Sequence, residues 1–269
     1  MRRWPGQSLR IGIGHDSLAL VKTSRFGRHT QVLAEEGVFD ANEPAELARG
    51  LRALLAQRPV AGWPLTVVLA DELARMWQVA PPPGATKAAD LEAAAAMRYT
   101  ALFGSAPASW TIAADWQASR PFLAAALPVA LLDVLNGCAR EARCVLVEIV
   151  PQFVAAMNGW RKLHRPGAWF GLVHGQVLTL AAYDGRRLAA LRSAVVPPGA
   201  DRDWLESHVA REALRVGVGR PERVQLCGSA PRSWASHPGH LKFACTLLED
   251  DDPLGHSAVV RLACTGSPA

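Results

Sequence analysis

The sequence predicts an α/β protein of two lobes, in which a β-β-β-α-β-α unit occurs twice and the first copy carries a small α+β insertion. Three observations predict this class. A glycine-turned hairpin opens the chain, a second one opens its second half, and a continuous apolar run follows each, as in buried parallel strands. The chain has 269 residues, of which 50% are hydrophobic, so two modest cores can form.

The first copy begins with a hairpin at residues 9–22. Its two apolar runs flank the segment Gly14-His15-Asp16-Ser17, whose composition is typical of a tight turn. Apolar periodicity then predicts a strand at 31–39, a helix at 43–57 with Asn42 as its N-cap, and a strand buried on both faces at 65–70.

The insertion is predicted at about 75–127, between a proline-rich break and the next helix. It contains a strand at 75–81, an alanine-rich helix at 86–103 and strands at 109–117 and 121–127. The first copy resumes with a helix at 128–143, a buried strand at 144–150 and a helix at 152–163. Because His164-Arg165-Pro166-Gly167 breaks this pattern, we expect the first lobe to span 1–166 and the second 167–269.

The second copy repeats the order of the first. We expect strands at 168–173, 177–183 and 187–196, a helix at 203–216, strands at 223–227 and 241–248, and a closing helix at 257–264. The two copies share little sequence, so the repeat is one of structure.

The composition indicates the compartment of the protein and the kinds of partner that it is expected to bind. The net charge of +5 comes from arginines spread along the chain, which is typical of a solvated surface, and we expect no nucleic-acid partner. Five cysteines without a CxxC pair favour a reducing cytoplasm. No apolar run suggests a signal peptide or a direct membrane span.

Two further segments were considered as metal sites. His237 and His240, with Cys245 and His256, fit no established zinc spacing, so we expect exposed loop histidines. The acidic run at 249–252 lacks the spacing of a calcium loop and is interpreted as a solvated turn. The sequence therefore predicts no metal site.

In its order of elements, the chain resembles the PilM family of pilus-assembly proteins and the related cytoplasmic part of type II secretion scaffolds. Both belong to the actin-like ATPase superfamily, and the resemblance implies an actin-like (ribonuclease H-like) fold. In that superfamily an Asp of the first hairpin handles the metal or the catalytic water, and turn amides hold the nucleotide phosphates. Here Gly12 stands in the place of that Asp.

The resemblance also indicates which residues would contact a nucleotide, if that function is retained. They are Gly14, His15, Asp16 and Ser17 in the first turn, Gly175 in the second and Gly228 after a later strand. Asp16 is interpreted as a residue that stabilises the turn, and His174 as a turn residue rather than a general base. No carboxylate appears in the second hairpin until Asp184, and Ser229 replaces the second glycine of the adenosine-contacting loop.

The resemblance and the eroded motifs together predict a non-catalytic cytoplasmic scaffold without catalytic residues. It would bind the cytoplasmic peptide of a membrane-anchored pilus or secretion assembly protein, and so lie at the inner membrane through that partner. The peptide would dock between the lobes or beside the insertion, and no cofactor would be required. The alternative is an active ATPase or sugar kinase that binds Mg-ATP between the lobes, with Asp16 or Asp184 as the working carboxylate. Under the scaffold hypothesis, we expect Gly12→Asp to leave partner binding unchanged.

Overall fold

The computed structural model describes residues 6–24, 27–37, 40–104, 107–235, 242–249 and 255–267, with the side chains of residues 27–29 left out. The elements of the first half are β1 (Gln7–Ile13), β2 (Ser17–Ser24), β3 (Gly27–Gly37), α1 (Pro44–Ala56), β4 (Pro64–Leu69), β5 (Arg75–Val79), α2 (Ala88–Phe103), β6 (Trp110–Ala114), β7 (Phe122–Pro128), α3 (Val129–Glu141), β8 (Val145–Pro151) and α4 (Gln152–Gly159). Those of the second half are β9 (Trp169–His174), β10 (Val177–Asp184), β11 (Arg187–Val195), α5 (Arg202–Val216), β12 (Arg223–Gly228), β13 (Ala244–Leu247) and α6 (Ala258–Cys264).

The duplication is visible in two five-stranded sheets with the same strand order. The first sheet runs β3-β2-β1-β4-β8 and the second β11-β10-β9-β12-β13. In each, the first three strands are antiparallel and the last three are parallel. This arrangement confirms the predicted α/β class and the repeated β-β-β-α-β-α order.

The outer face of each sheet carries its main core because helices with one apolar face cover it. Leucines at helical spacing on α1 pack with α3 onto the first sheet. On the second sheet, α5 packs with Trp234 and Phe243. Strand β4 is apolar throughout because Val67 faces the outer core and Val68 the inner one, as the continuous apolar run predicted.

The insertion forms its own three-stranded sheet, in the order β5-β7-β6. One face packs against α2 around Trp77, Tyr99 and Phe122. On its other face, Met76 and Leu123 reach the core of the second lobe beside Leu188. The insertion therefore leaves the first copy in sequence but contacts the second lobe in space.

Two helices lie between the sheets. Ala155 of α4 belongs to the core of the first sheet, while Phe153 and Ala156 of the same helix pack against the second. Helix α6 closes the chain, yet it packs on β1 and β2 of the first sheet. The last helix of the second copy thus completes the first lobe.

Some predicted boundaries were wrong. The N-cap of α1 is Glu43, since the amide of Asn42 is used in a turn with the Asp40 carboxylate. Helix α4 ends at Gly159 rather than 163, where its chain meets the Gly266 backbone closely. Strand β13 covers 244–247 rather than 241–248, and residue 241 lies outside the described residues, as do residues 38–39 of the strand predicted at 31–39. Among the described residues, no helix is long and apolar enough to cross a bilayer.

Candidate functional site

The first predicted nucleotide turn is held by its own hydrogen bonds. The amide of Gly14 donates to the Ser17 carbonyl at 2.8 Å, and the Ser17 hydroxyl donates to the Asp16 carboxylate at 3.1 Å. The carbonyl of His15 accepts from the amide of Ala41 at 2.9 Å. None of these four turn residues lines either of the two cavities described below.

The position of the superfamily's acid, Gly12, is covered by a helix. Gly12 lies on the inner face of β1, opposite Ala19 of β2 and Val68 of β4. A Cβ at this position would lie 2.5 Å from the carbonyl oxygen of Val259 and 2.8 Å from the amide nitrogen of Ala263, both in α6. The absence of a side chain is therefore required by helix packing, which a sequence motif could not reveal.

The equivalent position in the second copy holds Leu172. It pairs with Cys227, one residue before the end of β12, as Gly12 pairs with Val68 one residue before the end of β4. Leu172 is 1% exposed and belongs to the inner apolar cluster. Neither copy supplies a carboxylate at this place.

Backbone geometry requires glycine at both predicted glycine positions of the second lobe. Gly175 sits in a two-residue hairpin turn with φ of 55°. Gly228 has φ of 76°, and a Cβ there would lie 2.2 Å from the carbonyl oxygen of Val173. Both glycines adopt a positive φ, and the lack of a side chain at Gly228 also permits β12 to approach β9 closely.

A cavity of about 680 Å³, here called the cleft cavity, lies beside Gly228. Its walls come from the ends of β9 and β12, from α4 and from α6 with the residues after it. They include His174, Gln152, Trp160 and Arg261. Burial lowers the pKa of His174, partly opposed by the charge of Glu72 and reinforced by that of Arg261, so its ring is neutral at pH 7.

Two polar features of the cleft cavity escaped the sequence analysis. The Glu249 carboxylate, predicted as part of a solvated turn, accepts from the Gly228 amide at 2.9 Å and from Nε1 of Trp160 at 3.2 Å. The Gln152 amide donates to Oγ1 of Thr265, while its Oε1, although buried, has no partner among the described residues. The rest of the acidic run, residues 250–252, lies outside the described residues.

The cleft cavity offers few carboxylate ligands to a magnesium-bound nucleotide. Mg²⁺ prefers carboxylate oxygens, and the positions of Gly12 and Leu172 offer none. Glu249, which lines the cavity, already accepts a hydrogen bond from the amide of Gly228, the last residue of β12. In the described part of the chain, no three His, Cys, Asp or Glu side chains are grouped to hold a metal ion.

The histidines considered as a metal pair, His237 and His240, lie outside the described residues. Cys245 is half-buried, and burial raises the pKa of its thiol to about 11 against the opposing effect of Arg202. A thiol with that pKa stays protonated at neutral pH. None of the five cysteines forms a disulfide bond.

A second hollow, here called the insertion groove, has a volume of about 790 Å³. Its floor is the face of the insertion sheet opposite α2, where Ala113, Leu123 and Ala125 point away from the α2 core. Val154 and Met157 of α4 form the facing wall, and the end of β8 and the β10–β11 turn complete it. The small alanine side chains of the insertion sheet do not fill the space in front of α4, so a hollow remains between the sheet and the helix.

Charged side chains also line the insertion groove. Arg120, Arg161 and Arg186 come from three separate parts of the chain, and Asp115 is the carboxylate among the lining residues. No spacing in the sequence links the three arginines, so sequence analysis had no signal for them. His164 also lines the groove, and its Nε2 lies 3.0 Å from the carbonyl oxygen of Ala168.

The sequence matches no protein-family model and no curated protein, so similarity was sought among solved structures. The cytoplasmic domain of EpsL, an inner-membrane component of the type II secretion system of Vibrio cholerae, superimposes with a TM-score of 0.57 at 13% identity. The match covers 97% of this chain and 94% of that one.

Two other structures agree with this result. A chain of the PilM–PilN type IV pilus biogenesis complex matches with a TM-score of 0.56 at 17% identity, covering 85% of this chain and 83% of that one. A Bacteroides thetaiotaomicron protein with an actin-like ATPase fold and unknown function gives a TM-score of 0.56 at 10% identity, covering 84% of each chain. The predicted actin-like fold is thereby confirmed, and its structural neighbours include EpsL and the PilM–PilN complex.

Proposed function

We propose that this actin-like chain is a non-catalytic scaffold that docks a cytoplasmic segment of a membrane-anchored partner in the insertion groove. The similar structures support this role, since one is an inner-membrane secretion component and another a pilus biogenesis complex. The protein would act in the assembly of a type IV pilus or a related secretion machine. It would lie in the cytoplasm and reach the inner membrane through its partner.

The observation that carries the proposal is the insertion groove itself. It has the volume and the apolar floor of a recognition site, at a junction of the first sheet, the insertion and the second lobe. Strand β8 is an edge of the first sheet and exposes Val145 and Val147. Strand β6 is an edge of the insertion sheet. Free strand edges beside an apolar groove favour an extended peptide as the ligand.

A scaffold does not need nucleotide turnover, and the inner faces of the sheets agree with that. Gly12 is covered by α6, Leu172 is buried in an apolar cluster, and the Gly228 amide is bonded to Glu249. We propose that the hairpins and glycines persist for the fold and not for ATP. On this proposal there are no catalytic residues and no cofactor.

The test uses synthetic peptides with the cytoplasmic segments of membrane-anchored proteins encoded by any neighbouring pilus or secretion genes. Isothermal titration calorimetry with the full chain should give micromolar binding. Ala125→Trp, which fills the groove floor, should abolish it and leave the melting temperature within about 2 °C of the parent's. Ala53→Trp, a matched change at an exposed position on α1, should bind as the parent does.

Two results would contradict the proposal in different ways. If Ala125→Trp bound the peptide as tightly as the parent does, the insertion groove would not be the docking site. If no cytoplasmic segment of a neighbouring membrane protein bound the chain, the scaffold role itself would fail.

The rival function is an active ATPase or sugar kinase, and the cleft cavity beside Gly228 is the feature that favours it. A thermal-shift titration with Mg-ATP separates the two functions. The scaffold predicts no rise in melting temperature with ligand concentration. A rise that grows with Mg-ATP would favour the rival, because ligand binding stabilises the folded state by mass action.

A further inference from the structure

The three arginines of the insertion groove have no side-chain hydrogen bond or ion pair among the described residues. Arg120 lies in the β6–β7 connection, Arg161 follows α4, and Arg186 lies in the β10–β11 turn. All three are exposed, and their side chains make no hydrogen bond or ion pair with any described residue. Elsewhere on the protein, some exposed arginines pair with carboxylates, namely Arg49, Arg52, Arg192 and Arg215. The guanidinium groups of the groove are therefore available to a ligand.

The groove contributes little negative charge of its own. Asp115 is the carboxylate among the lining residues, set against three guanidinium groups. Burial raises the pKa of the Tyr183 phenol, against the opposing charge of Arg120, so Tyr183 is neutral at physiological pH. A concave surface with one sign of charge and low-dielectric walls raises the local concentration of ligands of the opposite sign.

The apolar and charged residues of the groove come from different parts of the elements that form it. Leu123, Ala125, Val154 and Met157 belong to the floor and the facing wall. The arginines lie in the connections that follow β6, α4 and β10, and all are exposed. An extended chain presents successive side chains in opposite directions, so it can place apolar groups on the floor and charged groups at the rim.

We propose that the insertion groove selects an extended segment in which apolar side chains alternate with acidic ones. This inference rests on the proposed scaffold function and adds the chemistry of its partner. The carboxylates pair with Arg120, Arg161 and Arg186, whose planar guanidinium groups bind carboxylates in bidentate fashion. The apolar side chains cover the floor. Net selectivity for acidic over basic segments follows from the charge of the rim.

The test compares three fluorescent peptides of about ten residues, a length that spans roughly 33 Å when extended. Each alternates leucine with one polar residue, which is Glu, Gln or Lys. Fluorescence anisotropy with the full chain should show the Glu peptide binding about tenfold tighter than the Gln peptide, and the Lys peptide binding most weakly. Raising the salt from about 50 mM to about 300 mM should remove most of the difference, because exposed charges are screened.

A triple variant tests the arginines directly. Arg120→Ser, Arg161→Ser and Arg186→Ser together should remove the preference for the Glu peptide and leave binding of the Gln peptide within about twofold. The matched control changes three exposed arginines outside the groove, Arg58→Ser, Arg98→Ser and Arg220→Ser, and should keep the preference.

Several outcomes would overturn the inference while leaving the scaffold function in place. Equal affinity for all three peptides would do so, and so would a loss of preference in the control triple. Failure of all three to bind, while the partner peptide binds and Ala125→Trp abolishes that binding, would also overturn it. Co-sedimentation with phosphatidylglycerol vesicles that the groove triple abolishes would assign the arginines to a membrane surface instead.

Discussion

At the scale of single residues, the fold decides what Gly12 does. The sequence marks it as the place of a missing carboxylate, and the motif frame around it was identified correctly. The contact with Val259 and Ala263 could not be foreseen, because the two segments are about 250 residues apart in the chain and no local pattern links them. The residue is a packing glycine in this protein.

Replacing Gly12 should therefore destabilise the protein. Gly12→Ala places a Cβ against the backbone of α6, and we expect overpacking to lower the free energy of unfolding by about 1–3 kcal/mol. The matched control is Gly137→Ala in α3, where a Cβ meets nothing within 4 Å. It should stabilise the helix by about 0.5–1 kcal/mol. Chemical denaturation of both variants measures the difference, and equal effects would contradict the packing role.

The contact between Gly12 and α6 also changes what is expected of Gly12→Asp. The sequence suggested this variant as a restoration of the acid that leaves partner binding unchanged. In the structure its carboxylate would have to displace α6 before it reached any ligand. A test of binding with this variant must therefore be accompanied by a measurement of its stability.

At the scale of elements, α6 is anchored at both ends to the first lobe. The hydroxyl of Ser257, its N-cap, accepts from the Val260 amide and donates to Glu35 of β3. At the other end, the buried Arg10 side chain donates to the carbonyl oxygens of Ala263, at 2.7 Å through Nε, and of Thr265. A cation at a helix C-terminus also interacts favourably with the helix dipole.

Arg10 should consequently contribute more to the free energy of unfolding than an exposed arginine does. Arg10→Met leaves two buried carbonyl groups without their donor, and we expect the free energy of unfolding to fall by about 2–4 kcal/mol. Arg58→Met, at an exposed position, should change it by no more than about 0.5 kcal/mol. Thermal and urea unfolding of the two variants provide the comparison. A loss no larger than that of the control would show that Arg10 does not hold α6.

Helices and strands were the most predictable level of the structure. The leucines of α1 and the alternating pattern of the first hairpin mark their elements because side-chain periodicity is a local property. The partner of an element is not local. The sequence gives α6 as a helix but does not indicate that it crosses to the first sheet, since an apolar face fits either lobe.

At the scale of the whole molecule, Asp71 connects the two lobes. It follows β4 of the first sheet and accepts from the amide of Phe153 at 2.9 Å, near the start of α4. Burial raises its pKa to about 7, and the charge of Glu72 adds to this, while hydrogen bonds from Phe153 and from Thr179 of the second sheet oppose it. One carboxyl group thus contacts the first lobe, the linking helix and the second lobe.

Asp71 should make stability depend on pH. Between its ordinary pKa near 4 and about 7, the folded protein holds a proton that the unfolded chain has lost. The contribution of protonated Asp71 to the free energy of unfolding is therefore fully present below pH 4 and is lost as the pH rises to about 7. Asp71→Asn keeps the acceptor for Phe153 without the charge, so it should melt at a higher temperature than the parent at pH 8 and lose that advantage near pH 4.

Melting curves between pH 4 and pH 8 test this expectation. Asp133→Asn, an exposed position on α3, is the control and should reproduce the pH profile of the parent. If Asp71→Asn also reproduced it, the buried carboxyl would not couple the lobes to pH.

The sequence by itself determined the strands, the helices, the duplication and the actin-like order of elements, because these follow from periodicity and turn residues that neighbouring positions carry. Only the tertiary structure decided which surfaces meet. It covered Gly12 with α6, set Glu249 on the Gly228 amide and gathered Arg120, Arg161 and Arg186 around one groove. The physical reason is that contacts between distant segments depend on the complementarity of whole faces, and no local pattern encodes which faces will pack together.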